Sequence, residues 1–153
     1  MTLIVFSNDM DKAMAALILA TGAASAGMNV TLYFTFWGLS LLRKKKYHRG
    51  GKTLIELMFG WMLPVGPGGT HLSKMNFWGA GTAMMKKVMR KKKMPQLADL
   101  MDMALSLNVK IVACTTSMGM MGFKREELLD SIEIGGVATY LSGARESTVN
   151  LFI

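Results

Sequence analysis

The chain has 153 residues, of which 51% are hydrophobic and only 18% charged, and its formal net charge is +8. That length suits one domain with a real core, and the sparse charge favours a sheet buried on both faces. The lone cysteine, Cys114, excludes an intramolecular disulfide framework and every multi-cysteine zinc or iron–sulfur motif, and it fits a reducing cytoplasm.

Thr2-Leu-Ile-Val-Phe-Ser7 is a short β-rich run and opens the chain as a strand. Ser7, Asn8 and Asp9 offer capping oxygens to an alanine- and leucine-rich helix that extends to about Ala26, with Gly27 suited to its C-terminal cap. Asn29 to Thr35 follows as a second strand, so the opening is a β-α-β unit with a right-handed crossover. Phe36-Trp37-Gly38 comes directly after that strand, at its carboxyl end, and Leu39 to Arg43 forms a helical turn.

Residues 44–82 read least clearly, with Gly50-Gly51, Pro64, Gly66-Pro-Gly-Gly69 and Gly79-Ala-Gly81; a strand or helix fits 53–63. This stretch is treated as a basic insertion carrying Gly and Pro, within a single domain over 1–153. Thr82 to Lys93 is helical in composition, and Pro95 opens a further helix to about Leu107, with Leu97, Leu100, Met101, Ala104 and Leu105 at helical spacing. Lys110 to Cys114 is a buried strand, Met118 to Met121 a short helix and Lys124 to Ser131 another. Ile134 to Leu141, with Val137, Thr139 and Tyr140, reads as the last strand, and Ser142 to Leu151 as a closing helix. The alternation predicts an α/β fold with a mainly parallel sheet.

The positive charge is clustered. Arg43-Lys-Lys-Lys-Tyr-His-Arg49 with Lys52 makes one block; Lys86, Lys87 and Arg90-Lys-Lys-Lys93 make another. Such blocks are either solvated faces or a field that attracts anions or an acidic partner. Ala13 to Leu42 is uncharged and exceeds a spanning length, but Gly22, Ser25, Gly27 and Asn29 break it, so it is read as a helix, a turn and a central strand. Asp9, Asp11 and Lys12 fall where a signal peptide would be apolar. A peripheral membrane association stays open.

Cys114 closes its strand where a helix begins, at the carboxyl edge that open α/β sheets use for their sites. Helix-start amides there favour a thiolate, while inert packing is the commoner fate of a lone cysteine.

Three segments carry a family resemblance: Phe6-Ser-Asn-Asp-Met-Asp-Lys-Ala13, Phe34-Thr-Phe-Trp-Gly-Leu-Ser-Leu-Leu-Arg43, and Ala113-Cys-Thr-Thr-Ser-Met-Gly-Met-Met-Gly122, which continues into Phe123-Lys-Arg-Glu-Glu-Leu-Leu129. The chain resembles the DsrE-like proteins of the DsrE/DsrF/DsrH sulfur-relay superfamily over nearly its whole length. The resemblance implies a three-layer α/β/α sandwich around about five strands, and a homo-oligomer. It also implies a Cys114 that carries sulfur as a persulfide or thiosulfonate and exchanges it with a TusA-like sulfur carrier or a rhodanese.

Around the thiol, Thr115, Thr116 and Ser117 offer hydroxyl donors, and Gly119 and Gly122 permit close backbone approach. Asn8 is a candidate amide donor to a substrate oxygen, and Phe36 and Trp37 are candidate pocket walls. His48 and His71 have no spaced metal partners, and sixteen methionines read as core filler or a partner surface; no cofactor and no metal are expected. The rival reading is a non-catalytic oligomeric binding or scaffold module that uses the basic and Met-rich surface, with nucleic acid the less favoured ligand.

Overall fold

The computed structural model describes residues 1–44 and 52–153. In chain order come β1 (Thr2–Val5), α1 (Met10–Ser25), β2 (Thr31–Phe34), α2 (Leu54–Met62), α3 (Ala80–Lys91), α4 (Leu97–Ser106), β3 (Lys110–Cys114), α5 (Thr115–Met121), β4 (Glu133–Gly135), α6 (Val137–Glu146) and β5 (Asn150–Phe152). The five strands form one parallel sheet in the order β4-β3-β2-β1-β5.

Successive side chains of a strand point to opposite faces, so the register divides the sheet sharply. Leu3 pairs with Leu32 and Leu32 with Ile111; Val5 pairs with Phe34 and Phe34 with Ala113. These six residues belong to the large core, together with Ala13, Leu17 and Ala20 of α1 and Leu97, Leu100 and Ala104 of α4. On the other face Tyr33, Val112 and Cys114 form a small cluster, against which Ile4 and Tyr140 pack. The fold is a three-layer α/β/α sandwich, with α1 and α4 packed on one face and α6 on the other.

The C-terminal third differs from the sequence expectation. Strand β4 stops at Gly135, and residues Val137 to Leu141 lie in α6 instead of continuing it. The β-branched composition there is outweighed by the Gly135-Gly136 break, after which α6 crosses the sheet from one edge to the other. Asn150 and Leu151, expected at the end of a closing helix, instead belong to β5 beside β1. Lys124 to Ser131 contains only a 3₁₀ turn at Arg125–Glu127. Leu128 is drawn into a bridge with Arg43, and the Arg125 guanidinium donates to the carbonyls of Leu129, Asp130 and Ile132, which ends the helical path. Helix α5 begins at Thr115, earlier than the expected Met118.

Within 44–82, residues 54–62 form α2, opened by a capping box between Thr53 and Glu56. Buried Arg43 donates to the carbonyls of Gly60, Leu63 and Pro64 and lies 4.9 Å over the Phe123 ring, tying the end of α2 to the body. Lys45, Lys46, His48, Arg49, Gly50 and Gly51 of the expected basic insertion lie outside the described residues. Among the described residues no helix is long and apolar enough to cross a membrane. The uncharged stretch from Ala13 to Leu42 is divided among α1, β2 and a 3₁₀ turn at Phe36–Leu42.

Candidate functional site

Cys114 is the last residue of β3 and the N-cap of α5, at the carboxyl edge of the sheet. Its side chain points to the thinly covered face, where it is 4% exposed, and it lines an open cavity of about 390 Å³. Ile4 and Tyr33 form the floor. Phe6, Phe36 and Phe152 form an aromatic wall, with the Phe6 ring centroid 5.3 Å from Phe36 and 5.6 Å from Phe152. Val137, Tyr140 and Leu141 of α6 close the remaining side. Apart from the Cys114 thiol, none of the described residues lining it is an acidic or basic side chain.

The 3₁₀ turn after β2 explains how Phe36 reaches this wall. Gly38 donates its amide to the Phe6 carbonyl at 2.8 Å, and a Cβ on it would stand 2.2 Å from the Val5 carbonyl oxygen. Only glycine lets the turn sit this close to β1. The turn starts with Phe36 at φ 44, a left-handed conformation that is costly for an aromatic residue.

Polar groups converge on the sulfur. Burial pushes the Cys114 thiol pKa up, but hydrogen bonds from the Tyr33 hydroxyl, the amide and hydroxyl of Ser117 and the Thr35 hydroxyl outweigh it and bring the pKa down to about 7. Thr35 Oγ1 and Ser117 Oγ are 2.8 Å apart, so one hydroxyl donates to the other and the second keeps its proton for the sulfur. The Tyr33 hydroxyl also faces the Gly135 carbonyl at 3.3 Å. Its single proton therefore has two acceptors, the carbonyl while the sulfur is a thiol and the sulfur once it ionises. Burial, with the hydrogen bond and charge of Cys114, raises the Tyr33 pKa, which keeps it a donor. A thiol half-ionised near neutrality combines thiolate abundance with nucleophilicity.

Of the residues expected at the site, Thr116 and Ser117 line the cavity with Cys114. Thr115 is exposed, and its hydroxyl lies beside the turn at Gly136. Gly119 is exposed and has no close neighbour, while Gly122 makes room for the Glu56 side chain of α2. Asn8 and Trp37 are not brought to the thiol. They line a second cleft of about 530 Å³ with Trp61 and His71, and the Asn8 amide donates to Ser40 Oγ at 3.3 Å. Tyr33 and Thr35 were not anticipated from the sequence. The available signal was period two: in a strand with Leu32 and Phe34 on the core face, Tyr33 and Thr35 share the opposite face, where Cys114 also points.

The family model described as DsrE/DsrF/DrsH-like matches residues 1–152. The YrkE protein of Bacillus subtilis is 49% identical over 152 residues, covering 99% of this chain and 95% of the relative. The sulfur carrier protein DsrE2 of Allochromatium vinosum is 30% identical over 159 residues, covering 100% and 97%. Among solved structures, the ychN protein of E. coli superposes with a TM-score of 0.56 at 11% identity, covering 99% of this chain and 97% of that one.

Proposed function

We propose that this chain, which belongs to the DsrE/DsrF/DrsH-like family, relays sulfur by carrying it on Cys114 and handing it to a small carrier protein. The observation that carries the reading is a lone thiol, lowered to about 7, at the floor of an open and otherwise apolar cavity. The similar protein named a sulfur carrier supports it.

In loading, the Cys114 thiolate attacks a sulfane sulfur of a persulfide or polysulfide donor. One S–S bond forms, one breaks, and the electron pair leaves with the donor's remaining sulfur, so that Cys114 becomes a persulfide anion. With a thionate such as tetrathionate, the same attack leaves a thiosulfonate on Cys114 and releases thiosulfate. In unloading, the thiolate of a TusA-like carrier or a rhodanese attacks the sulfane sulfur bonded to Cys114 Sγ, so that the persulfide sulfur or the whole thiosulfate group passes to the carrier and the Cys114 thiolate leaves. The Tyr33, Thr35 and Ser117 donors that stabilise the thiolate also favour it as leaving group. The apolar wall keeps water from the adduct. We place this chemistry in the reducing cytoplasm, in a single-domain protein that works as a homo-oligomer.

Intact-mass spectrometry after incubation with polysulfide, tetrathionate or a sulfur-loaded carrier tests the reading. Wild type is expected to gain the sulfur mass and to return to its original mass with a reduced carrier thiol. Cys114→Ser is expected to gain nothing. An equal adduct on Cys114→Ser, or none on wild type, would overturn it.

A further inference from the structure

We infer that the Cys114 cavity takes its sulfur from uncharged polysulfane chains and discriminates against thionate oxyanions. The inference rests on the sulfur-relay reading and narrows its donor. The walls point to this class. Ile4, Phe6, Phe36, Val137, Leu141 and Phe152 line the cavity with apolar surface. That wall is held against backbone strain, since Phe36 stands at φ 44. Divalent sulfur makes favourable contacts with aromatic rings, which suits a sulfur chain lying among these phenylalanines.

Charge points the same way. The chain carries 18 Lys and Arg side chains, yet among the described residues none lines the cavity. Oxyanion sites are commonly built from such cations, above all from Arg. A sulfonate would enter here without a counter-ion, and an unpaired charge in apolar surroundings is costly. The hydroxyls do not replace the missing cation. One of the Thr35 and Ser117 hydroxyls donates to the other at 2.8 Å, which leaves one proton for the sulfur. Tyr33 has a single proton for the Gly135 carbonyl and the sulfur together, and the Ser117 amide also serves the sulfur. Among the other lining residues only Thr116 and Tyr140 carry hydroxyls, too few for three sulfonate oxygens. A persulfide anion needs no more donors than the thiolate, because it bears the same single charge.

Shape adds a further constraint. Cys114 is 4% exposed, so the reacting sulfur must come to it through the cavity. A polysulfane chain is one atom wide. In tetrathionate the attacked sulfur carries its own sulfonate, which has to follow it in. With a dialkyl trisulfide, the Cys114 thiolate attacks the central sulfur. One S–S bond forms, one breaks, and an alkanethiolate leaves with the electron pair. Cys114 Sγ then holds the sulfane sulfur within a mixed trisulfide, and a carrier thiolate attacking that sulfur releases the Cys114 thiolate.

Loading of the full chain by dimethyl trisulfide and by tetrathionate, each followed by intact mass, tests the inference. The ratio of the two rates is compared with that of 2-mercaptoethanol, an uncharged thiol without a cavity. Cys114 is expected to favour the trisulfide roughly tenfold or more beyond that reference. Leu141 lines the cavity and is 57% exposed, so a lysine there would bring a cation to the rim without disturbing the core. Leu141→Lys should raise the tetrathionate rate roughly fivefold or more and leave the trisulfide rate within about twofold, while Leu141→Gln should change neither. A Cys114 ratio no higher than that of 2-mercaptoethanol, or a tetrathionate rate unchanged in Leu141→Lys, overturns the inference while the relay reading stands. Wild type that takes sulfur from neither donor, or an equal adduct on Cys114→Ser, overturns the relay reading and this inference with it.

Discussion

The two faces of the sheet are built to different standards. The face toward α1 and α4 is a continuous core, in which Leu3, Leu32, Val5 and Phe34 are at most 1% exposed. The opposite face buries only Tyr33, Val112 and Cys114 in its own cluster, and α6, which crosses it, has no buried residue. A buried thiolate needs hydrogen-bond donors and a route for its substrate, which a close-packed apolar core excludes. One face therefore supplies stability, and the other keeps a cavity and a reactive group.

The largest effect should come from cutting into the first face. Phe34→Ala is expected to cost about 3–5 kcal/mol, through lost burial and the cavity left behind. Leu141→Ala, on the far side of the thiol cavity and already 57% exposed, is expected to stay within about 1 kcal/mol. Urea denaturation of both variants measures the contrast. Similar losses in the two would show that α6 contributes as much to stability as α1 and α4 do.

This asymmetry was only half legible in the sequence. The strands with apolar residues in unbroken runs, Leu3 to Val5 and Ile111 to Ala113, announce themselves as buried, and α4 shows a regular apolar stripe at Leu97, Leu100, Met101 and Ala104. The thiol's place at a carboxyl edge followed from strand and helix order. The second face could not be read in the same way. Val137-Ala-Thr-Tyr-Leu141 has strand composition, yet after the break at Gly135-Gly136 it forms the helix that carries the chain to β5 beside β1. Trp37 and Asn8 lie near the same edge in sequence terms. The direction of the turn at Gly38 sends Phe36 to the thiol and Trp37 to the other cleft. Tyr33 was missed because a tyrosine in an apolar strand looks like core until its register beside Val112 is known.

A second, smaller effect distinguishes the faces through pH. The Cys114 thiol is lowered from its ordinary value of 9.0 to about 7 in the folded chain, so between those values the unfolded chain binds more protons. Stability should therefore rise as pH increases from about 7 to 9, and the gain should be lost as pH falls back through 7. The full gain is at most about 2–3 kcal/mol, at roughly 1.4 kcal/mol per pH unit. Above pH 10 the raised Tyr33 pKa acts in the opposite direction, because the unfolded tyrosine ionises first. Denaturation midpoints of wild type and Cys114→Ser across this range give the measurement. A slope that persists in Cys114→Ser would assign the effect to other groups.

The smallest effect isolates one donor. Tyr33→Phe keeps the ring that packs 5.3 Å from Tyr140 and removes only the hydroxyl shared between Gly135 and the sulfur. The amide of Ser117 and the hydroxyls of Ser117 and Thr35 remain, so the thiol should stay below its ordinary 9.0 but rise above 7. A hydrogen bond to a charged group is worth about 1.5–3 kcal/mol, and the remaining donors take up part of that loss, so the midpoint should move by roughly 1 to 1.5 pH units. Iodoacetamide alkylation followed against pH reads that midpoint directly. At pH 7 the variant should react roughly tenfold more slowly than wild type, while the two rates converge once both thiols are fully ionised. An unchanged midpoint would mean that the start of α5 and Thr35 hold the thiolate alone, and that Tyr33 spends its proton on the Gly135 carbonyl throughout. In that case the thin face would owe its reactivity to the strand–helix junction and to Thr35 at the end of the neighbouring strand, and not to Tyr33.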